Sequence, residues 1–239
     1  MIDMHCHIIP AIDDGSKSVT ETFNMAIAAA NMGYKGIFAT PHYIEDRHET
    51  SCKDIENSVE VLNKMLKEKN IDLKIYVGNE IYICNNLLEL LQENKVFTLG
   101  KSKYVLFELP FNGEVLNLKQ IISELGHIGY IPILAHPERY EFIFNDYKKV
   151  IPLIEEGALI QINLASIVGY YGSKSQKCVE KLLKNNLVHF IGTDSHDSTS
   201  IYSNFEKAMK KISKKVSTDK LNEILVENPN RVLNDKPIY

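Results

Sequence analysis

The chain contains no tryptophan and only three arginines, Arg47, Arg139 and Arg231, among its 239 residues. Its net charge is -4. This balance excludes the broad basic surface by which proteins usually hold a phosphate backbone, so no nucleic-acid partner is expected. The basic run Lys210-Lys211-Ile212-Ser213-Lys214-Lys215 reads as the solvated face of a helix. No apolar stretch approaches the roughly 18 residues of a membrane span, and the start, Met-Ile-Asp-Met, has no basic region followed by an apolar one. The four cysteines form no Cys-x-x-Cys pair, which suits a reducing compartment and a cytoplasmic location. Neither glycine-rich nucleotide motif, G-x-G-x-x-G or G-x-x-x-x-G-K-[ST], occurs. A cysteine-nucleophile phosphatase loop needs an arginine six positions after its cysteine. The residues six beyond Cys6, Cys52, Cys84 and Cys178 are Ile12, Ser58, Leu90 and Lys184, so that chemistry is excluded.

What is present is a rhythm of short apolar runs and helical stretches. Runs at Ile2–Met4, Gly36–Ala39, Leu73–Val77, Tyr104–Glu108, Ile131–Ala135, Leu159–Ile162 and Leu187–Ile191 read as seven strands. They are apolar nearly throughout, as in a parallel sheet covered on both faces. Ser18-Val-Thr-Glu21 reads as a capping box, Phe23, Ala26, Ile27 and Ala30 as the apolar stripe of the helix that follows, and Gly33 as its stop. Further helices are expected near 54–69, 115–128, 146–156, 174–185 and 202–214. No low-complexity linker interrupts the chain. With 44% hydrophobic residues, it can bury a large core. The expectation is an α/β fold, a distorted (β/α)7 TIM-like barrel, with residues 1–239 forming one domain.

Such a barrel carries its chemistry at the C-terminal ends of its strands. Strand one ends in His5 and His7, strand two in Thr40-Pro41-His42, and strand three leads into Gly78-Asn79-Glu80. Strand four ends in Glu108, strand five in Ala135-His136-Pro137-Glu138-Arg139, strand six near Gln161 and Asn163, and strand seven in Gly192-Thr193-Asp194-Ser195-His196. One histidine at a strand end is ordinarily structural. Five histidines and three carboxylates on one rim are not, because each unpaired buried charge costs several kcal/mol. Nitrogen and oxygen donors without thiolates suit manganese, iron, cobalt or zinc, in more than one ion. Strand alternation turns Cys6 away from His5 and His7, as a small buried apolar residue. His48, His127 and His189 lack a strand-end position and read as surface or structural residues.

The segments IDMHCHIIPAIDDGSKS, ATPHY, GNEIY, VLFELP, ILAHPERY and GTDSHD resemble the polymerase and histidinol phosphatase superfamily. Within it they are most similar to the bacterial manganese-dependent protein tyrosine phosphatases of capsular and exopolysaccharide biosynthesis. The resemblance implies a cluster of two or three manganese ions held by His5, His7, Asp14, His42, Glu80, Glu108, His136, Asp194 and His196, with Glu80 bridging. It implies that Arg139 binds the phosphate. It also implies a phosphotyrosine protein as substrate, the tyrosine-rich tail of a cognate bacterial tyrosine kinase, with peripheral contact to a membrane complex. Arg139 has a competing structural reading as an ion pair with Glu138. A phenolate with a pKa of about 10 leaves readily, so strong acid catalysis is dispensable; Asp197 or a metal-bound water is the candidate acid. The alternatives are a histidinol-phosphate phosphatase, a polymerase-associated nuclease module and a non-catalytic metal-binding regulatory module.

Overall fold

Apolar runs bounded by turn residues become parallel strands: β1 (Ile2–Cys6), β2 (Gly36–Ala39), β3 (His42–Tyr43), β4 (Lys74–Tyr76), β5 (Glu80–Tyr82), β6 (Tyr104–Glu108), β7 (Ile131–Ala135), β8 (Leu159–Asn163) and β9 (Phe190–Gly192). The computed structural model describes residues 1–238. Two of the seven expected strands each resume, after a break, as a further short strand, β3 and β5. The second is interrupted at Thr40-Pro41, where proline has no amide to donate to a ladder, and the third at Val77-Gly78-Asn79. The pieces pair separately, as β1-β2-β4 and β3-β5-β6-β7-β8-β9. Backbone hydrogen bonds cross the breaks, from Thr40 N to Cys6 O (3.0 Å) and from Glu80 N to Pro41 O (3.1 Å). The ring closes between β9 and β1: Asp194 N donates to His5 O (2.7 Å) and His7 N to Ser195 O (3.0 Å). The seven-stranded α/β barrel read from the sequence is therefore the architecture, with β9 three residues later than its expected start.

Ten α-helices lie around it among the described residues: α1 (Val19–Asn31), α2 (Cys52–Glu68), α3 (Leu87–Gln92), α4 (Leu118–His127), α5 (Glu141–Asn145), α6 (Ile151–Glu155), α7 (Ser173–Lys184), α8 (Phe205–Ile212), α9 (Thr218–Asn222) and α10 (Asn228–Leu233). The expected helix at 146–156 starts as a tighter 3₁₀ turn, Tyr147–Val150, before α6. The capping box ahead of α1 is half formed. Ser18 accepts from Glu21 N (3.2 Å), but Glu21 reaches away and accepts from Ser198 N (2.6 Å). That bond ties α1 to the loop after β9.

Two apolar layers result. One, with Met4, Phe38, Tyr104, Leu106, Ile133 and Phe190, fills the barrel below its mouth. The other lies between the strands and the helices and contains Cys6, Ile37, Phe107, Leu134 and Ile191. Along β1 the pairing register with β2 slips between Asp3 and Cys6. Such an irregularity re-aims side chains. Within it Met4 fills the barrel and His5 reaches the polar cluster at the mouth, and beyond it Cys6 joins the outer layer while His7 reaches the same cluster. No helix is long and apolar enough to cross a membrane among the described residues.

Candidate metal centre

The strand ends converge as the sequence implied. Three overlapping groups of donors form at the mouth: His7, Asp14, His42 and His196; His5, His7, Glu80 and Asp194; and His42, Glu80 and Glu108, each within 4.8 Å of one another. Eight of the nine residues expected to hold metal belong to them. The ninth, His136, stands beside them, its Nε2 2.7 Å from Glu80 Oε1. Glu80 is shared by the second and third groups, and His7 and His42 link the first to them. Its Oε2 lies 3.1 Å from His5 Nε2, 3.3 Å from His7 Nε2 and 3.1 Å from His42 Nδ1. Yet that oxygen is buried and makes no aligned hydrogen bond, and the same is true of His42 Nδ1 and His136 Nδ1. Lone pairs aimed at shared space rather than at one another fit cations, and the donor set, all nitrogen and oxygen, fits the manganese class.

Hydrogen bonds from outside the cluster fix which atom of His5 and of His7 faces inward. His5 Nδ1 lies 2.9 Å from Gln161 Oε1, and His7 Nδ1 2.8 Å from Asp13 Oδ2. Each carboxylate or amide oxygen takes the Nδ1 proton and leaves Nε2 for a ligand, the usual arrangement behind metal-binding histidines. Gln161 Nε2 continues to Asn163 Oδ1 (3.0 Å), and Asn163 Nδ2 donates to Asp194 Oδ2 (2.6 Å). An amide ladder along β8 thus joins a ligand of β1 to the ligand after β9. The packing there leaves no room for a side chain at Gly192, where a Cβ would come within 2.6 Å of His5 Cβ. The backbone at His136 and Asp194 is left-handed, with φ of 32° and 53°. Non-glycine residues hold such conformations only where the surroundings enforce them.

The electrostatics without metal follow from this crowding. Burial lowers the His5 pKa, but Glu80 and Asp194 outweigh it and push it up to about 9. His7 is raised well above its ordinary value because Asp13 and the hydrogen bonds to it, Asp194 and Glu80 overcome burial. Burial raises Glu80 and Asp194, but the surrounding histidines prevail and hold both ionised.

Arg139 sits at the edge of this cluster. Its Nη1 donates to Asp194 Oδ2 (2.8 Å), and its guanidinium lies 4.5 Å from the ring centroids of both Phe111 and Tyr171. It does not pair with Glu138, whose Oε1 accepts from Asn163 N (2.8 Å) and Ser166 Oγ (2.6 Å) in the interior. Arg139 lines a cavity of about 230 Å³ together with Asp14, Glu80, His136 and His196. Ile44, Tyr82 and Phe111 supply its apolar wall. His48, expected to be a surface or structural residue, also lines this cavity, along with Arg47. His127 is on the surface. His189 is buried, accepts from Ile160 N on Nδ1 (2.9 Å), and is lowered to about 4 by burial and Lys220.

Asp197 is not brought to the cavity lining. Its carboxylate accepts from Thr199 N (2.7 Å), Ser200 N (2.6 Å) and Ser200 Oγ (2.5 Å), bonds that overcome burial and lower its pKa to about 2. It organises a turn and has no proton to give near neutrality. Cys6 faces the outer layer, with Sγ 3.6 Å from Ser195 O, and burial pushes its thiol far up. Asp13, Gln161, Asn163, Phe111 and Tyr171 were not singled out in the sequence as supports of the site. Only the placement of Gln161 and Asn163 at one strand end pointed toward it.

The sequence profile described as capsular polysaccharide synthesis, CpsB/CapC, matches residues 1–234. The tyrosine-protein phosphatase YwqE of Bacillus subtilis (strain 168) is 32% identical over 239 residues, covering 100% of this chain and 94% of that protein. The tyrosine-protein phosphatase CpsB of Streptococcus pneumoniae is 31% identical over 243 residues and is covered in full, as is this chain. A crystal structure reported with YwqE from B. subtilis and CpsB from S. pneumoniae, described as unique metal-dependent tyrosine phosphatases, superposes with a TM-score of 0.93 at 31% identity, covering 100% of this chain and 96% of that one. The histidinol phosphate phosphatase of Lactococcus lactis shares the fold, with a TM-score of 0.58 at 16% identity over 90% of this chain and 93% of that one.

Proposed function

The chain belongs to the CpsB/CapC family of capsular polysaccharide synthesis, and from that premise we propose that it is a metal-dependent protein-tyrosine phosphatase, a phosphoric monoester hydrolase. The observation that carries the reading is the set of three ligand groups linked pairwise by His7, His42 and Glu80, with Arg139 beside them in one cavity. Its substrate is a phosphotyrosine protein, the tail of a bacterial tyrosine kinase that governs capsule or exopolysaccharide synthesis. It acts in the cytoplasm, peripherally to that membrane complex, a placement supported by four free cysteines. Residues 1–239 work as one catalytic unit, with no nucleic-acid partner.

His5, His7, Asp14, His42, Glu80, Glu108, His136, Asp194 and His196 hold two or three manganese ions, with iron, cobalt or zinc as substitutes. When bound, such ions acidify water and neutralise phosphoryl oxygens. Arg139 binds the non-bridging oxygens of the phosphate by a planar fork that a lysine does not reproduce. Ile44, Tyr82 and Phe111 line the approach with apolar surface for an aromatic ring. Asp13 and Gln161 hold His7 and His5, respectively, in one tautomer. No protein acid is required, since the leaving phenolate has a pKa of about 10.

The test is hydrolysis of a phosphotyrosine peptide and of histidinol phosphate by the purified protein, with and without chelator and with Mn²⁺ added back. The reading expects manganese-restored activity on the peptide. Preference for histidinol phosphate assigns the chain to that phosphatase instead, and full activity in metal-free protein overturns the metal mechanism.

A further inference from the structure

Two aromatic rings lie against the guanidinium of Arg139. Phe111, just past β6, and Tyr171, in the loop before α7, each hold a ring centroid 4.5 Å from its central carbon. Cation–aromatic stacking of this kind favours one plane for the group. Within that plane Arg139 spends one donor, Nη1, on Asp194 Oδ2. Asp194 Oδ1 stays with the histidines, 3.5 Å from His5 Nε2 and 3.4 Å from His7 Nε2. A guanidinium free to rotate beside a buried carboxylate would pair with both of its oxygens, because fork-to-fork pairing is the stronger arrangement. That pairing would take Oδ1 from the ligand cluster and turn the remaining donors away from the cavity.

We propose that Tyr171 and Phe111 are positioning residues that hold Arg139 in a single-donor pairing with Asp194 and aim its free edge at the substrate phosphate. The proposal rests on the phosphatase reading of the site. Tyr171 is the cleaner probe of the two. Phe111 also lines the cavity and touches whatever enters it, whereas Tyr171 is not part of the lining. The Tyr171 hydroxyl lies 3.5 Å from Asp194 Oδ2, so a role through that oxygen must be separated from a role through the ring. Tyr171→Phe separates them.

The experiment is a double-mutant cycle read as kcat and KM on a phosphotyrosine peptide with Mn²⁺ present, alongside metal content and melting temperature. Tyr171→Leu is expected to lower kcat on the order of tenfold with little change in KM, since a misplaced donor costs most in the transition state. Its metal content is expected to match the parent. Tyr171→Phe recovers most of the lost rate. In an Arg139→Ala background Tyr171→Leu has no further effect, because the group it positions is gone. If Tyr171→Leu does not fold, Phe111→Leu in the same cycle reads the other ring of the clamp. An equal loss in both backgrounds, or Tyr171→Phe as poor as Tyr171→Leu, overturns the clamp. An inactive Arg139→Ala with unaffected Tyr171→Leu overturns the clamp alone. An Arg139→Ala enzyme with parental turnover overturns both the clamp and the phosphate role of Arg139.

Discussion

Loading the centre with Mn²⁺ should release protons, and a lower bound on their number follows from the site. In the metal-free protein His5 keeps its proton up to about 9, because Glu80 and Asp194 outweigh the effect of burial. His7 is raised well above 6.5 by Asp13 and its neighbours. Both offer Nε2 to the cluster, and a cation needs that lone pair free. The carboxylates Glu80 and Asp194 are already ionised and release nothing. At least one proton, that of His5, therefore leaves, and it steepens the affinity tenfold per pH unit. Between about pH 6.5 and about pH 8.5 the apparent affinity should rise about 10²-fold or more. Stability of the metal-free fold moves the other way. A raised histidine stabilises the folded state fully below its unfolded value of 6.5, and that contribution is lost as pH rises through about 9. Titration calorimetry in two buffers of different ionisation heat counts the protons, and indicator competition gives the affinities. An affinity that is flat across this range, or a release of well under one proton, would refute the placement of both histidines at the metal.

Arg139→Ala should keep fold and metal while turnover falls about 10²-fold or more, the scale of losing one preorganised transition-state donor, and Arg139→Lys should recover little; metal content and kcat/KM decide. His136→Ala and Asp194→Ala should lower metal content and turnover together, and elemental analysis showing parental stoichiometry in either would contradict the assignment. Replacing all four cysteines by serine should leave the manganese-dependent rate largely intact, with some loss of melting temperature from the buried Cys6. Asp197→Asn should cost about 1 kcal/mol of stability, as for a lost capping carboxylate, with kcat retained; a large fall in kcat at unchanged melting temperature would make Asp197 catalytic after all.

Much of the centre is legible in the sequence because strand ends are. An apolar run stops where the chain leaves the barrel, so the first polar residues beyond it face the mouth, and His42, Glu80, Glu108, His136 and Asp194 could be read off one after another. Two-residue alternation likewise sent Cys6 away from His5 and His7. The supports of the site were not legible. Asp13 and Asp14 are adjacent and chemically alike, yet the first orients His7 and the second faces His42 and His196. Only the turn that places them distinguishes the two. Asp197 shares a segment with two ligands, but its carboxylate is taken by the amides and hydroxyl of Thr199 and Ser200. The ladder from His5 through Gln161 and Asn163 to Asp194 spans three strands far apart in sequence, and the Arg139 clamp joins two separate loops. The sequence by itself determined which donors the chain brings to the mouth, because burial pattern and strand period are local. Which atom of each donor faces the metal, and what holds it there, was decided only by tertiary structure, since those bonds form between residues that meet when the barrel closes.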